Sequence, residues 1–282
     1  RFYKKIKNND FKNSSLINNY LLENNVVQNI ACYDELEDFI KEYKLEDDLK
    51  KINFINDYFR VFTTKNGKYS SDEFLIGNAK SICILGHTRP DGDCLGSTLG
   101  WKNYIKGRFP EKEVTVFLME ANNKFAYLPG FSGIRHDVPK DEYDLAIICD
   151  CGVYERLGEY GRLAKNAKER YVIDHHITSS GEEFPNHTIL PDASSTSEIS
   201  FDLMDERYFT KDVATCIYTG IIHDTGVFKY TSTSSHTMEI AGKCMDRGID
   251  FSSIIDDSFY MKTVNQQQVT GKVLLDGRLY ME

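Results

Sequence analysis

The sequence predicts an α/β protein: a doubly wound parallel sheet with a helical N-terminal extension. Three observations lead there. Short apolar runs at Ile82–Leu85, Val114–Leu118, Leu145–Cys149 and Tyr171–Ile173 have the length of buried strands. Stretches of helical spacing separate them, and strands alternating with helices make a parallel sheet. Three of the four runs end in clusters of His and Asp. These fall on one edge of such a sheet, the carboxyl ends of its strands, where open parallel sheets bind ligands.

Taken in order, residues 1–77 are rich in asparagine and lysine. Leu22, Val26 and Ile30, then Leu36, Phe39, Ile40 and Tyr43, then Leu49, Ile52, Ile55 and Phe59 are spaced as on helix faces. This extension holds no chemical motif. Its amphipathic pattern suits a docking or homodimerisation element. Asp72 begins a short helix leading into a strand at 81–86. A helix follows over 94–107, carried by Leu95, Leu99, Trp101 and Ile105. The strand at Val114–Leu118 comes next, then Leu145–Cys149, a helix near Tyr160–Ala167 and the strand at Tyr171–Ile173. From Ser195 onward the pattern is helical. Phe201, Leu203 and Met204 share one helix, and Val213, Ile217, Ile221 and Ile222 the next. Ile240, Cys244 and Met245 belong to another, which Gly248 closes. Residues 262–282 read as a further helix or linker.

The 282 residues are 41% hydrophobic and 27% charged, which is the composition of a folded domain rather than a disordered chain. A formal net charge of −9 argues against a protein that coats duplexes with a basic face. A nucleic-acid substrate would be short and held through metal ions. The seven cysteines are odd in number, lack a Cys-x-x-Cys spacing and lie mostly in apolar runs. They read as reduced core residues of a cytoplasmic protein. Cys149 and Cys151 flank Asp150, as packed side chains or as metal ligands; alternation along a strand favours packing. No stretch is long enough to span a membrane and no signal peptide is visible. The first residue is not methionine, so the chain reads as a trimmed fragment.

The densest chemistry lies in Gly86-His-Thr-Arg-Pro-Asp-Gly-Asp-Cys-Leu-Gly-Ser. One imidazole, His87, and two carboxylates, Asp91 and Asp93, suit a divalent cation such as Mn, Mg, Co or Zn. The alternative is a polar turn whose aspartates cap the next helix. Asp150 follows the run Leu145–Cys149. Asp174, His175 and His176 end the fourth strand. Neighbouring side chains at a strand end diverge, so one histidine is expected on metal and the other on substrate. Asp224 ends an apolar helix before Gly226; His223 beside it reads as a packed histidine. Ser194, Ser195 and Thr196 open a helix in which Ser195 and Glu198 have capping-box spacing. The same hydroxyl-rich start could also cradle a phosphate. Asp91, Asp93, Asp150 and Asp224 would repel one another if they converged. Two divalent cations would balance them, and two such ions can activate a water for attack on phosphorus.

His87-x-x-x-Asp91-x-Asp93, Asp150, Asp174-His175-His176 and Asp224 together resemble the four motifs of the DHH phosphoesterase superfamily. The wording around His87, and Ala193-Ser-Ser-Thr-Ser-Glu, is most similar to its branch of bifunctional oligoribonucleases and pAp phosphatases. The resemblance covers roughly residues 78–265. It implies that His87, Asp91 and Asp150 hold one metal, and that Asp93, Asp150, His175 and Asp224 hold a second, with manganese the usual ion and Mg2+ or Co2+ as alternatives. It further implies that Asp174 orients its histidines and that His176 meets the scissile phosphate. Arg89, Ser194, Ser195 and Thr196 are the expected substrate contacts. The implied reaction is metal-hydroxide attack on phosphorus in a short single-stranded RNA or DNA, a linear dinucleotide or pAp. Alternatives are a cyclic-dinucleotide phosphodiesterase, an inorganic pyrophosphatase or a non-catalytic nucleotide-binding module. The expected organisation is an extension at 1–77, a DHH catalytic domain at 78–264 and a helical linker at 265–282. No Gly-Gly-Gly-His occurs, so the family's second, substrate-binding domain is expected to be absent.

Overall fold

A computed structural model describes residues 71–138, 140–179, 183–184 and 186–277. The expected helical extension therefore lies outside the described residues up to position 70. Its end is the helix α1 (Ser71–Asn78), where Leu75 and Ile76 are buried in the same core as the sheet.

Six strands form one parallel sheet: β1 (Ser81–Leu85), β2 (Glu113–Phe117), β3 (Ile134–Arg135), β4 (Leu145–Cys149), β5 (Glu169–Asp174) and β6 (His187–Ile189). Their order is β3-β2-β1-β4-β5-β6, the doubly wound arrangement, and the winding reverses between β1 and β4. The sequence showed no sign of β3 or β6. They are edge strands of two and three residues, too short to carry a period.

The strands are continuous apolar runs because both faces of the sheet are covered. Ile82 and Ile84 of β1 point into one core with Trp101, Ile147 and Ile217. Cys83 and Leu85 point into the other with Ile148, Leu157 and Leu163. The first face carries α2 (Gly92–Arg108), α4 (Thr196–Leu203), α5 (Lys211–Asp224) and α6 (Ser235–Asp246). The second carries a 3-10 segment at Tyr154–Tyr160 and α3 (Gly161–Asn166). The Trp101 indole donates to Ser200 Oγ at 3.0 Å, tying α2 to α4.

At Gly96 and Gly220, helices α2 and α5 approach with no side chain of their own between the backbones. A Cβ at Gly96 would lie 2.6 Å from the Cys216 carbonyl oxygen and 2.8 Å from the Gly220 nitrogen. A Cβ at Gly220 would overlap Ser197 and lie 2.6 Å from Asp93 Oδ1. This approach brings the C-terminal end of α5 to the loop after β1. The chain continues through α7 (Phe251–Ile255), a π-helical turn at Asp256–Tyr260 and α8 (Val264–Asp276); no residue of α8 is buried.

Candidate metal centre

Strand register assembles the first half of the site. Leu85 pairs with Ile148, and Cys149 with Ile173. Carrying those pairings past the strand ends puts His87 beside Asp150, and Asp150 beside Asp174, at the point where the winding reverses. His87 Nε2 lies 3.2 Å from Asp150 Oδ2 and 3.9 Å from Asp91 Oδ2. The other Asp91 oxygen, Oδ1, caps α2, accepting from the Asp93 and Cys94 amides at 3.1 Å each. Capping and presentation to His87 are therefore compatible.

Asp93 is completely buried and held by α4. The Thr196 amide donates to its Oδ2 at 2.7 Å and the Ser197 amide to its Oδ1 at 2.9 Å. The hydroxyls expected to cradle a phosphate are also buried and turned inward. Ser194 donates to Glu198 Oε2, Ser195 Oγ accepts from the Glu198 amide, and Thr196 donates to Asp150 Oδ1 at 3.2 Å. The helix N-terminus thus serves a protein carboxylate, and Ser195 is its cap. Arg89 stands exposed on the loop after β1.

Asp150 is the meeting point. Its backbone is left-handed, with φ +58°, a conformation aspartate tolerates better than most side chains and one that clusters at functional sites. Its amide donates to Ile173 O at 2.9 Å, and its carboxylate reaches His87, His175 and His176. The expectation that the two adjacent histidines diverge does not hold. They lie just past β5, not within it, and their rings pack 4.7 Å apart at 59°. Both approach Asp150 Oδ1, His175 Nε2 at 3.7 Å and His176 Nδ1 at 3.4 Å.

Asp174 fixes this pair. Its Oδ1 accepts from the His175 amide at 2.8 Å, the His176 amide at 3.2 Å and the His176 ring Nδ1 at 2.7 Å, and Ser179 donates to Oδ2. Burial opposes its charge, but the hydrogen bonds from His176 and Ser179 outweigh it and lower its pKa. The sequence pattern did not single out Ser179, which lies in the loop after the histidine pair, or the Ser197 amide, which sits within Ala193-Ser-Ser-Thr-Ser-Glu but acts through its backbone, where residue type gives no signal.

Asp224 closes the ring from the end of α5, with Oδ2 2.9 Å from His175 Nε2. Beyond it Gly226, Val227 and Phe228 all have positive φ, at 57°, 57° and 63°. For a β-branched valine this is strained backbone. The Val227 amide returns to Ile222 O at 2.7 Å, so the turn folds back on the helix that carries Asp224. His223 is packed, as expected: it lies against Phe125 and Phe259, with Nε2 3.0 Å from Ser258 Oγ, and burial pushes its pKa down to about 4.

The electrostatics follow from burial. Burial and the Asp224 charge push Asp93 up to about 7. Burial, then the charges of Asp93, Asp91 and Asp224, push Asp150 well above the carboxylate range. His175 is opposed by burial but carried up to about 9 by its hydrogen bond to Asp224 and by the neighbouring carboxylates. Among the described residues no lysine or arginine pairs with Asp93, Asp150, Asp174 or Asp224. Imidazole nitrogens and carboxylate oxygens crowded together with no basic counter-charge are a donor set that fits divalent cations. Three sets have donor atoms within 4.8 Å of one another: His87, Cys94 and Asp150; Asp150, His175 and His176; and Asp93, His175 and Asp224. Asp91 is outside all three sets.

The model of the DHH family, N-terminal domain, matches residues 81–221, from β1 into the last turn of α5. The chain belongs to the DHH family. Among its relatives, a probable bifunctional oligoribonuclease and PAP phosphatase NrnA of Streptococcus mutans is 32% identical over 66% of this chain and 60% of the relative. A bifunctional oligoribonuclease and PAP phosphatase NrnA of Bacillus subtilis is 30% identical over 64% of this chain and 58% of the relative. The chain thus spans about 60% of the length of these curated relatives. The crystal structure of an exopolyphosphatase-related protein from Bacteroides fragilis superposes with a TM-score of 0.69 at 28% identity, covering 74% of this chain and 65% of that one. No helix among the described residues is long and apolar enough to cross a membrane.

Proposed function

We propose that this chain is a two-cation phosphoesterase that hydrolyses short oligonucleotides, linear dinucleotides or pAp. The observation that carries the reading is Asp150. It is a buried carboxylate with strained backbone at the reversal of the sheet, touched by three histidines and unmatched by any basic side chain among the described residues. The DHH membership, and relatives named oligoribonuclease and PAP phosphatase, support the substrate class.

In this reading His87, Asp91 and Asp150 would hold one ion, and Asp93, Asp150, His175 and Asp224 the other. Manganese suits the mixed nitrogen and oxygen donors. Two such ions would supply a lowered pKa for a bound water and charge to offset a phosphoryl group. The chain supplies the rest. The α4 amides keep Asp93 aimed at the centre, and Asp174 keeps the His176 ring facing it through Nδ1. The remaining nitrogen of His176, which is partly exposed, is then free to meet a phosphate oxygen or pass a proton to a leaving group. Arg89, exposed on the loop after β1, would take a substrate phosphate in this reading.

The test is hydrolysis of pAp and of a labelled RNA dinucleotide, with and without manganese, by this chain and by Asp150→Ala. Manganese-dependent turnover that disappears in the variant is the expected result. Metal binding without turnover on either substrate would reduce the chain to a binding module. No metal binding would remove the reading.

A further inference from the structure

We infer that Cys94 is an additional ligand of this centre, and that it gives the His87 side a site for thiophilic divalent ions such as Zn2+, Co2+ and Cd2+. The inference rests on reading the carboxylates as a cation centre and concerns which ions that centre takes. Three elements build the set: His87 follows β1, Cys94 lies in the first turn of α2, and Asp150 follows β4. Their donor atoms lie within 4.8 Å of one another. A tetrahedral zinc ion with bonds of about 2.0–2.3 Å needs its donors about 3.5 Å apart, so small side-chain adjustments close the set.

The sulfur is held in place by the backbone around it. A Cβ at Gly86 would overlap Cys94 Sγ, so the bare backbone there is what lets the thiol fill the space between the end of β1 and the start of α2. Cys94 is completely buried and its amide is fixed by the Asp91 cap. Among the described cysteines it alone belongs to a donor set with a histidine and an aspartate. Asp91, by contrast, is 58% exposed and 3.9 Å from His87. The His87 side therefore offers two alternatives, an outer oxygen and an inner sulfur. Thiolate selects zinc, cobalt and cadmium over manganese and magnesium, which prefer oxygen. On binding, the thiol proton passes to the buffer and sulfur bonds to the ion.

Cobalt titrated into the intact metal-free protein separates the possibilities. Ligand-field bands report binding, and a thiolate-to-cobalt charge-transfer band reports sulfur. Wild type should show both. Cys94→Ala should keep the ligand-field bands and lose the charge-transfer band, whereas Cys149→Ala should keep both. Cd2+ affinity should fall about tenfold or more in Cys94→Ala, with Mn2+ affinity changed less than about twofold. Cys94→Ser serves the same comparison if the alanine variant does not fold. Ligand-field bands without charge transfer in wild type would overturn the inference and leave the cation centre standing. A charge-transfer band that survives Cys94→Ala, or that vanishes in Cys149→Ala, would assign the sulfur elsewhere and also overturn it. Binding of neither cobalt nor manganese would remove the cation centre itself.

Discussion

Asp93 shows what converging buried carboxylates cost without a counter-charge. Its carboxyl is pushed up to about 7 by burial and by Asp224, against about 3.9 in an unfolded chain. A raised folded value means that its contribution to stability is complete below about pH 3.9 and is lost as pH climbs through about 7. Asp150 is shifted the same way. Metal-free protein should therefore melt lower at about pH 8 than at about pH 6, manganese should reverse the loss, and Asp93→Asn should flatten the profile. Thermal scans with chelator and with manganese check all three. Asp174→Asn keeps an acceptor for the two backbone amides but removes the charge facing His176 Nδ1. Metal affinity or turnover should fall about 10- to 100-fold with little change in melting temperature, measured by metal titration and steady-state kinetics. Most of these residues were legible one by one, because His87, Asp150 and Asp174 each follow an apolar strand and Asp224 ends an apolar helix. The facing of His175 and His176 was not, since it depends on where β5 stops. Nor was the grip of Thr196 on Asp93, made across 103 positions of sequence.

At the scale of elements, the contact between α2 and α5 decides whether the second half of the site forms. Gly220→Ala would drive a methyl into Ser197 and toward Asp93 Oδ1, the atom that the Ser197 amide holds. Overpacking of this kind costs about 1–3 kcal/mol. The variant should melt lower and bind cations more weakly than that loss alone explains, because α5 carries Asp224; calorimetry and metal titration on one sample separate the two. The sequence announced both helices through Leu95, Leu99, Ile217 and Ile221, yet not their closeness, which depends on a pair of glycines with no periodic signature. The four central strands were legible because parallel strands buried on both faces are unbroken apolar runs. The edges β3 and β6 were not, at two and three residues.

For the molecule as a whole, a formal net charge of −9 argues against non-specific retention of long nucleic acids. In the two-cation reading, affinity for phosphates would come from bound cations and from residues such as Arg89 rather than from net charge. A dinucleotide should bind in the presence of manganese while a long duplex is not retained, a contrast that filter binding with both ligands measures. The strand order has a further consequence for how the protein comes into being. The donors run from His87 to Asp224, so a nascent chain on the ribosome exposes the first motif long before α5 has been made. Until then the early aspartates lack the partners that would bind an ion tightly. In the two-cation reading, capture would thus be deferred to the end of synthesis, and the ion that loads the centre would be drawn from whatever the finished fold meets rather than from what surrounds the emerging peptide.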